Sequence, residues 1–386
     1  MLVGAISFGL LADAIGRKKV FVITLLIYSL CTGLCALSTS FQILFILRIF
    51  VGFGLGGLIP VVSTYLTEYI PSKNRGRFLS WFNGFFQLGN AFAYTIGLLV
   101  VIPYGWIWAF VIGAFPALIV ILVQSYLPES IRFLLQKNLF DKAIKIVEVI
   151  ENKILNKVNM DYDEALALEK EAAEKRPSKA TISQIFKGQI LKTTIMISML
   201  WFCLNFCAYA VVMWLPVLLV TELGYNLSSG FSFLIIAAIV GCIGQLTAGV
   251  AADKLGRRFT ICFSLILFGV FTYLFFWAGS SGLGNAFLII MWIFLGSCWG
   301  SIYAYTPENF PTAIRGTGVG FASSCGRLGG IFGPTLVGLV YSTIGVTAVL
   351  HMNFALLCIG AAMVLILGYE TKNQTLEQIE TAKLED

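Results

Sequence analysis

Charge is what this chain has least of. Asp, Glu, Lys and Arg make up 12% of its 386 residues, about half of the ~25% found in an ordinary soluble domain. With 58% hydrophobic residues and a mean hydropathy of +0.87, such a chain belongs in a bilayer. Histidine is almost missing, His351 being the single example. Near the outer end of the last apolar run, it reads as a packing or surface residue before a proton relay. All 20 acids sit in loops, at helix ends or in the tail, and none at mid-membrane. Metal-ligand spacing is also absent. The nine Cys all fall within apolar runs, where cysteine acts as a small hydrophobe, so no metal, cofactor or disulfide framework is expected. No nucleophile–base pair or phosphate loop stands in a soluble context, which argues against an enzyme. Gly52, Gly54 and Gly57 match a dinucleotide fingerprint by letters alone. They lie inside an apolar helix with no strand before it, so the match is false. Met1 leads into an apolar run with no basic flank, so no cleavable signal peptide is visible.

What is present is long apolar runs. A helix needs roughly 20 apolar residues to cross a ~30 Å hydrocarbon layer. Segments near 20–38, 42–66, 78–102, 104–127, 190–219, 230–252, 259–278, 285–306, 316–342 and 346–368 qualify, and 1–12 is an apolar stub. The basic residues orient them. Of 26 Lys and Arg, 24 fall in alternate segments, at 17–19, 73–77, 132–192, 254–258, 315 and 372–383, and the intervening loops hold none. Excess Lys/Arg marks the cytoplasmic side. The net charge of +6 is therefore a topology signal and not a nucleic-acid surface.

The chain also repeats itself. Asp13, Gly16 and Arg17 match Asp253, Gly256 and Arg257. Tyr65, Glu68, Pro71, Arg75 and Gly76 match Tyr305, Glu308, Pro311, Arg315 and Gly316. Every pair is separated by 240 residues. Two six-helix halves follow: 1–127, a cytoplasmic linker 128–189 with short amphipathic helices, 190–368, and a cytoplasmic tail 369–386. In such doubled permeases the substrate site lies near the midplane between the repeats. The second half has far more apolar sequence before Asp253 than the first has before Asp13. The expectation is an all-α membrane protein with helix 1 and part of helix 2 missing.

The G-x-L-A-D-x-x-G-R-K run at 9–18, its second copy, and the paired Glu-x-x-Pro-x-x-x-Arg-Gly runs resemble the major facilitator superfamily over essentially the whole chain. Pro128-Glu129-Ser130 and Glu370-Thr371-Lys372 look like sugar-porter endings. The stretches 201–216, 303–320 and 326–338 are most similar to the bacterial niacin permease branch. The resemblance implies a monomeric plasma-membrane transporter working by alternating access, with a small organic anion, a niacin-like aromatic monocarboxylate, as substrate and a proton as co-substrate. A sugar porter, or a fragment or sensor that does not transport, are the alternatives.

Two basic residues lie within spans. Arg327 sits about eleven residues into its run, ~16 Å deep and near the middle of the layer. A guanidinium matches a carboxylate with two parallel hydrogen bonds. Arg327 is thus either the ligand of a substrate carboxylate or an interhelical brace. Phe206, Tyr209 and Tyr303 are candidate stacking faces, and Gln87 and Asn205 candidate polar contacts. The competing reading of the aromatics is core or interfacial belt. Arg48 resembles the superfamily's helix-4 arginine, which implies proton coupling; snorkelling or a structural pair is the other reading. Asp13, Arg17, Glu68 and Arg75, with Asp253, Arg257, Glu308 and Arg315, are either latches that gate the cytoplasmic side or plain topology anchors.

Overall fold

The structure, a computed structural model, describes residues 1–69, 75–137, 139–154, 182–311 and 314–372. The described residues are helical, with no strand among them. The helices are α1 Leu2–Ile15, α2 Arg17–Cys35, α3 Phe41–Tyr69, α4 Arg75–Ile96, α5 Ile107–Gly113, α6 Ile119–Tyr126, α7 Ile131–Gln136, α8 Phe140–Ile154, α9 Gly188–Thr221, α10 Leu227–Leu255, α11 Arg257–Ala278, α12 Gly282–Glu308, α13 Arg315–Thr343 and α14 Val346–Leu367. In lipid every backbone group must be paired within its own segment, which is why a chain this apolar resolves into helices.

Among the described residues, nine stretches are long and apolar enough to cross a membrane. The sequence pattern predicts ten full spans. The difference is α13. It has 29 residues, but it is rich in glycine and serine and carries Arg327, so it falls short in apolarity. The run at 104–127 is also not one smooth helix. Pro116 lies in a 3-10 turn, Phe115–Leu118, between α5 and α6. Proline has no N–H and removes a rung of the α ladder. Of the linker read as carrying amphipathic helices, the described residues include the helices α7 and α8; residues 155–181 lie outside the described set.

The chain forms two compact units. The first comprises 1–75 and 103–178. Its small core holds Phe8, Ala12, Val20 and Val61, with the Phe8 and Phe53 rings 4.8 Å apart. The second comprises 76–102 and 179–386, so α4 clusters with α9–α14. There the Gly97 backbone meets the Phe231 ring of α10, and Tyr94 packs edge-on to Trp292 of α12 at 6.2 Å. Trp292, Phe268, Phe275 and Tyr305 are fully buried in the core of this unit. Helices α9 and α13 pack at close range. Gly329 and Gly333 bring the α13 backbone so near the carbonyls of Phe202 and Phe206 that no Cβ would fit. Small residues at interhelical contacts are the usual route to tight packing where lipid supplies no hydrophobic drive.

Candidate functional site

The duplicated turn motifs build duplicate structures. Gly16 joins α1 to α2 at φ 107°, and Gly256 joins α10 to α11 at φ 102°. Only glycine enters that region cheaply. Each turn exposes the first N–H groups of the next helix, which have no intrahelical acceptor. A distant carboxylate takes them. Glu129 Oε1 accepts from the Lys18 N–H of α2 at 3.0 Å, and also from the N–H of its own neighbour Ser130 at 2.9 Å. Glu370 accepts from Arg257 N–H at 2.8 Å and Arg258 N–H at 3.1 Å. A negative charge there also complements the helix dipole. Tyrosines hold the carboxylate segments in place. Tyr65 donates to the Pro128 carbonyl at 2.8 Å, Tyr69 to that of Glu129 at 2.7 Å, and Tyr305 to that of Tyr369 at 2.9 Å. Burial pushes the Tyr69 phenol pKa above its ordinary value, so it stays a donor at physiological pH.

The charged set is described more fully in the second unit. Arg257 pairs with Asp253 one turn earlier, and its Nε donates to Glu308 Oε2 at 3.2 Å. Its Nη2 donates to Glu308 Oε1 at 3.3 Å. Thr371 donates to Glu308 at 2.6 Å. Arg315 instead reaches a carbonyl, donating to Phe310 at 3.4 Å. In the first unit Arg17 is half-buried; the side chains of Asp13, Glu68 and Arg75 lie outside the described residues. Sequence reasoning singled out the arginines and their acids but gave no role to Glu129, Glu370 or Thr371. The signal was available: Glu129 and Glu370 are 241 residues apart, one more than the repeat.

The interior constellation lies on α9, α12 and α13. Arg327 is half-buried on α13, and no ion pair or hydrogen bond engages its guanidinium among the described residues. It lies within electrostatic reach of the Tyr303 phenol, as does Tyr209. Tyr303 and Tyr209 are 40% and 41% exposed, so both offer a free face. The Tyr209 ring covers Gly330, 3.3 Å from where a Cβ would stand. Tyr303 stacks on Trp299 with centroids 5.9 Å apart and 28° between planes. Asn205 is buried and donates its amide to the Trp201 carbonyl at 2.8 Å; its Oδ1 has no protein partner among the described residues.

The other candidates sit elsewhere. Phe206 is 2% exposed, packed beside Phe202 at 6.1 Å, and presents no free face. Gln87 is buried on α4 and its Oε1 accepts from Asn90 at 3.0 Å. Arg48 is exposed on α3 with its guanidinium over the Phe110 ring at 5.5 Å, a cation–π contact. The sequence reading gave no role to Trp201, buried edge-on to Tyr303, or to Trp299, stacked on Tyr303, because indoles in an apolar run look like core.

An all-helical body with many apolar spans, a doubled charged turn and a polar patch inside one bundle has the makeup of a membrane transporter. The family model "Sugar (and other) transporter" matches residues 1–382. The chain belongs to this family, a group of major facilitator transporters and not of enzymes, and is a multi-pass membrane protein. It is 35% identical over 385 residues to the niacin transporter NiaP of Acinetobacter baylyi, covering 98% of this chain and 85% of that one. It is 32% identical to the putative niacin/nicotinamide transporter NiaP of Bacillus subtilis, over 98% and 86%. A benzoate transport protein of Acinetobacter baylyi is 30% identical, over 89% and 73%. Among solved structures, the inward-open xylose transporter XylE of E. coli superimposes with a TM-score of 0.78 at 19% identity, over 99% and 86%. That likeness concerns the fold.

Proposed function

We propose that this protein carries a small organic anion, an aromatic monocarboxylate of the nicotinate or benzoate kind, across the plasma membrane by alternating access with protons as the driving ion. The observation that carries the reading is Arg327, a guanidinium within a bundle with no carboxylate paired to it among the described residues. An unpaired charge in the bilayer is costly, ~2.5–3.5 kcal/mol even by the lenient insertion scales, and an incoming carboxylate relieves that cost. Tyr303, Tyr209 and Trp299 beside it supply ring faces for a planar acid, and Asn205 Oδ1 an acceptor for a polar ring substituent. The relatives named for niacin and benzoate transport point to the same chemistry.

In this reading the basic turns, the linker and the C-terminus face the cytoplasm. The sets Asp13–Arg17–Glu68–Arg75 and Asp253–Arg257–Glu308–Arg315 latch that side while the outer side is open. Arg48 has its cation–π partner Phe110 for support, and a role for it in coupling is tested below. The deciding experiment is uptake of labelled nicotinate, benzoate and xylose by cells carrying the wild type, Arg327→Lys or Arg327→Gln. Carboxylate uptake should be strong in the wild type, reduced in Arg327→Lys, which keeps charge but loses the fork, and lost in Arg327→Gln. Xylose uptake that ignores Arg327, with no carboxylate uptake, overturns the proposal in favour of a neutral-sugar porter. Collapse of nicotinate uptake by a protonophore is the expected sign of proton drive.

A further inference from the structure

Trp201 on α9 touches both other helices of the interior site. Its indole N–H donates to Thr306 Oγ1 of α12 at 2.8 Å, and both residues are buried. The Thr306 hydroxyl gives its own proton to the Ile302 carbonyl at 2.7 Å, which leaves its lone pairs for the indole. Held in that rotamer, the indole meets Tyr303 edge-on at 5.3 Å and 85°, and Trp299 at 6.3 Å and 70°. Its other flank lies on α13: a Cβ at Gly326 would stand 3.0 Å from the Trp201 ring. Gly326 is the residue before Arg327. One indole thus props the ring pair that faces the site and the helical turn that carries its guanidinium.

We propose that Thr306 is a positioning residue for substrate recognition, acting through Trp201 on the placement of Tyr303 and Arg327; this rests on the anion reading of the same site. A buried indole N–H without an acceptor is costly enough to turn the ring in search of another. Turning it loosens Tyr303 and Trp299 on one side and the Gly326 contact on the other. Thr306→Val keeps shape and removes the acceptor for the indole. Thr306→Ser keeps the hydroxyl and is the rescue.

The test is nicotinate uptake kinetics in proteoliposomes for wild type, Thr306→Val and Thr306→Ser, with xylose measured in parallel. Thr306→Val should raise the nicotinate KM roughly five- to tenfold with the maximal rate close to that of the wild type, and Thr306→Ser should return KM to the wild-type value. The indole N–H marker in ultraviolet resonance Raman spectra should shift in Thr306→Val. It should not shift when the same change is made in a Trp201→Phe background, which shows that the bond broken is this one. An unchanged KM despite a shifted marker, a fall in rate alone, or equal damage from Ser and Val each overturns the inference while leaving the anion reading intact. A wild type that takes up xylose and not nicotinate removes the anion reading, and the KM split is then read on xylose. A wild type that takes up neither overturns both.

Discussion

Neutralising one carboxylate at a helix start should cost this protein measurable stability. In Glu370→Gln the size of the side chain is kept and the charge removed. Glu370 Oε1 accepts from the N–H groups of Arg257 at 2.8 Å and Lys372 at 3.0 Å, and Oε2 from that of Arg258 at 3.1 Å. Glutamine has one acceptor oxygen. Its NH2 group must face at least one of these donors, which leaves an orphan N–H in the first turn of α11. A hydrogen bond to a charged group contributes about 1.5–3 kcal/mol, and the charge–dipole interaction adds about 0.3–1 kcal/mol. Glu370 is half-buried, so water can reach part of the freed group, and a net loss near 2 kcal/mol is expected. In the pseudosymmetric twin the N–H groups of Lys18 and Ser130 both donate to Glu129 Oε1, an oxygen that glutamine retains, so Glu129→Gln loses the charge rather than the acceptor and should cost only about 0.3–1 kcal/mol. Buried Cys35 in the first unit and Cys203, Cys207, Cys262 and Cys298 in the second provide the assay, since a thiol-reactive fluorophore reports when the core opens on heating. The midpoint should fall by a few degrees in Glu370→Gln, by less in Glu129→Gln, and by about the sum in the double, since the two sites share no partner. A Glu370→Gln variant that melts together with the wild type refutes the capping argument.

Three further outcomes follow from the same packing. Gly329→Ala places a methyl against the Phe202 carbonyl and should destabilise by about 1–3 kcal/mol, while Gly320→Ala, with open space around it, should be neutral; thermal melts of the pair check this, and equal melts count against the close α9–α13 approach. Arg257→Lys loses the guanidinium fork that spans Asp253 and Glu308, so spin-label distances across the ends bearing the basic turns should lengthen if this set latches them; unaltered distances argue for anchoring alone. Arg48→Lys should keep nicotinate uptake under a proton gradient if the residue serves only its contact over Phe110, whereas loss of gradient-driven uptake with intact exchange assigns it to coupling.

The sequence by itself determined the spans, the doubling and the positions of the special turns. These are local properties. Hydropathy over some twenty residues decides whether a segment can enter lipid, and a glycine at φ 107° or 102° is legible as Gly16 and Gly256 in a G-R pair repeated 240 residues apart. The phase of each helix about its own axis was not legible, because lipid-facing and buried positions are both apolar and leave no amphipathic stripe to read. Phe206 and Tyr209 stand three residues apart on α9 and looked alike as ring faces. The tertiary structure buries the first against α13 and exposes 41% of the second. It also assigned α4 to the second unit, carried Glu370 across 113 positions to cap α11, and set the Trp201 indole on Thr306 across 105. Such pairings depend on which small residues let two helices approach, and that is decided only when the helices meet.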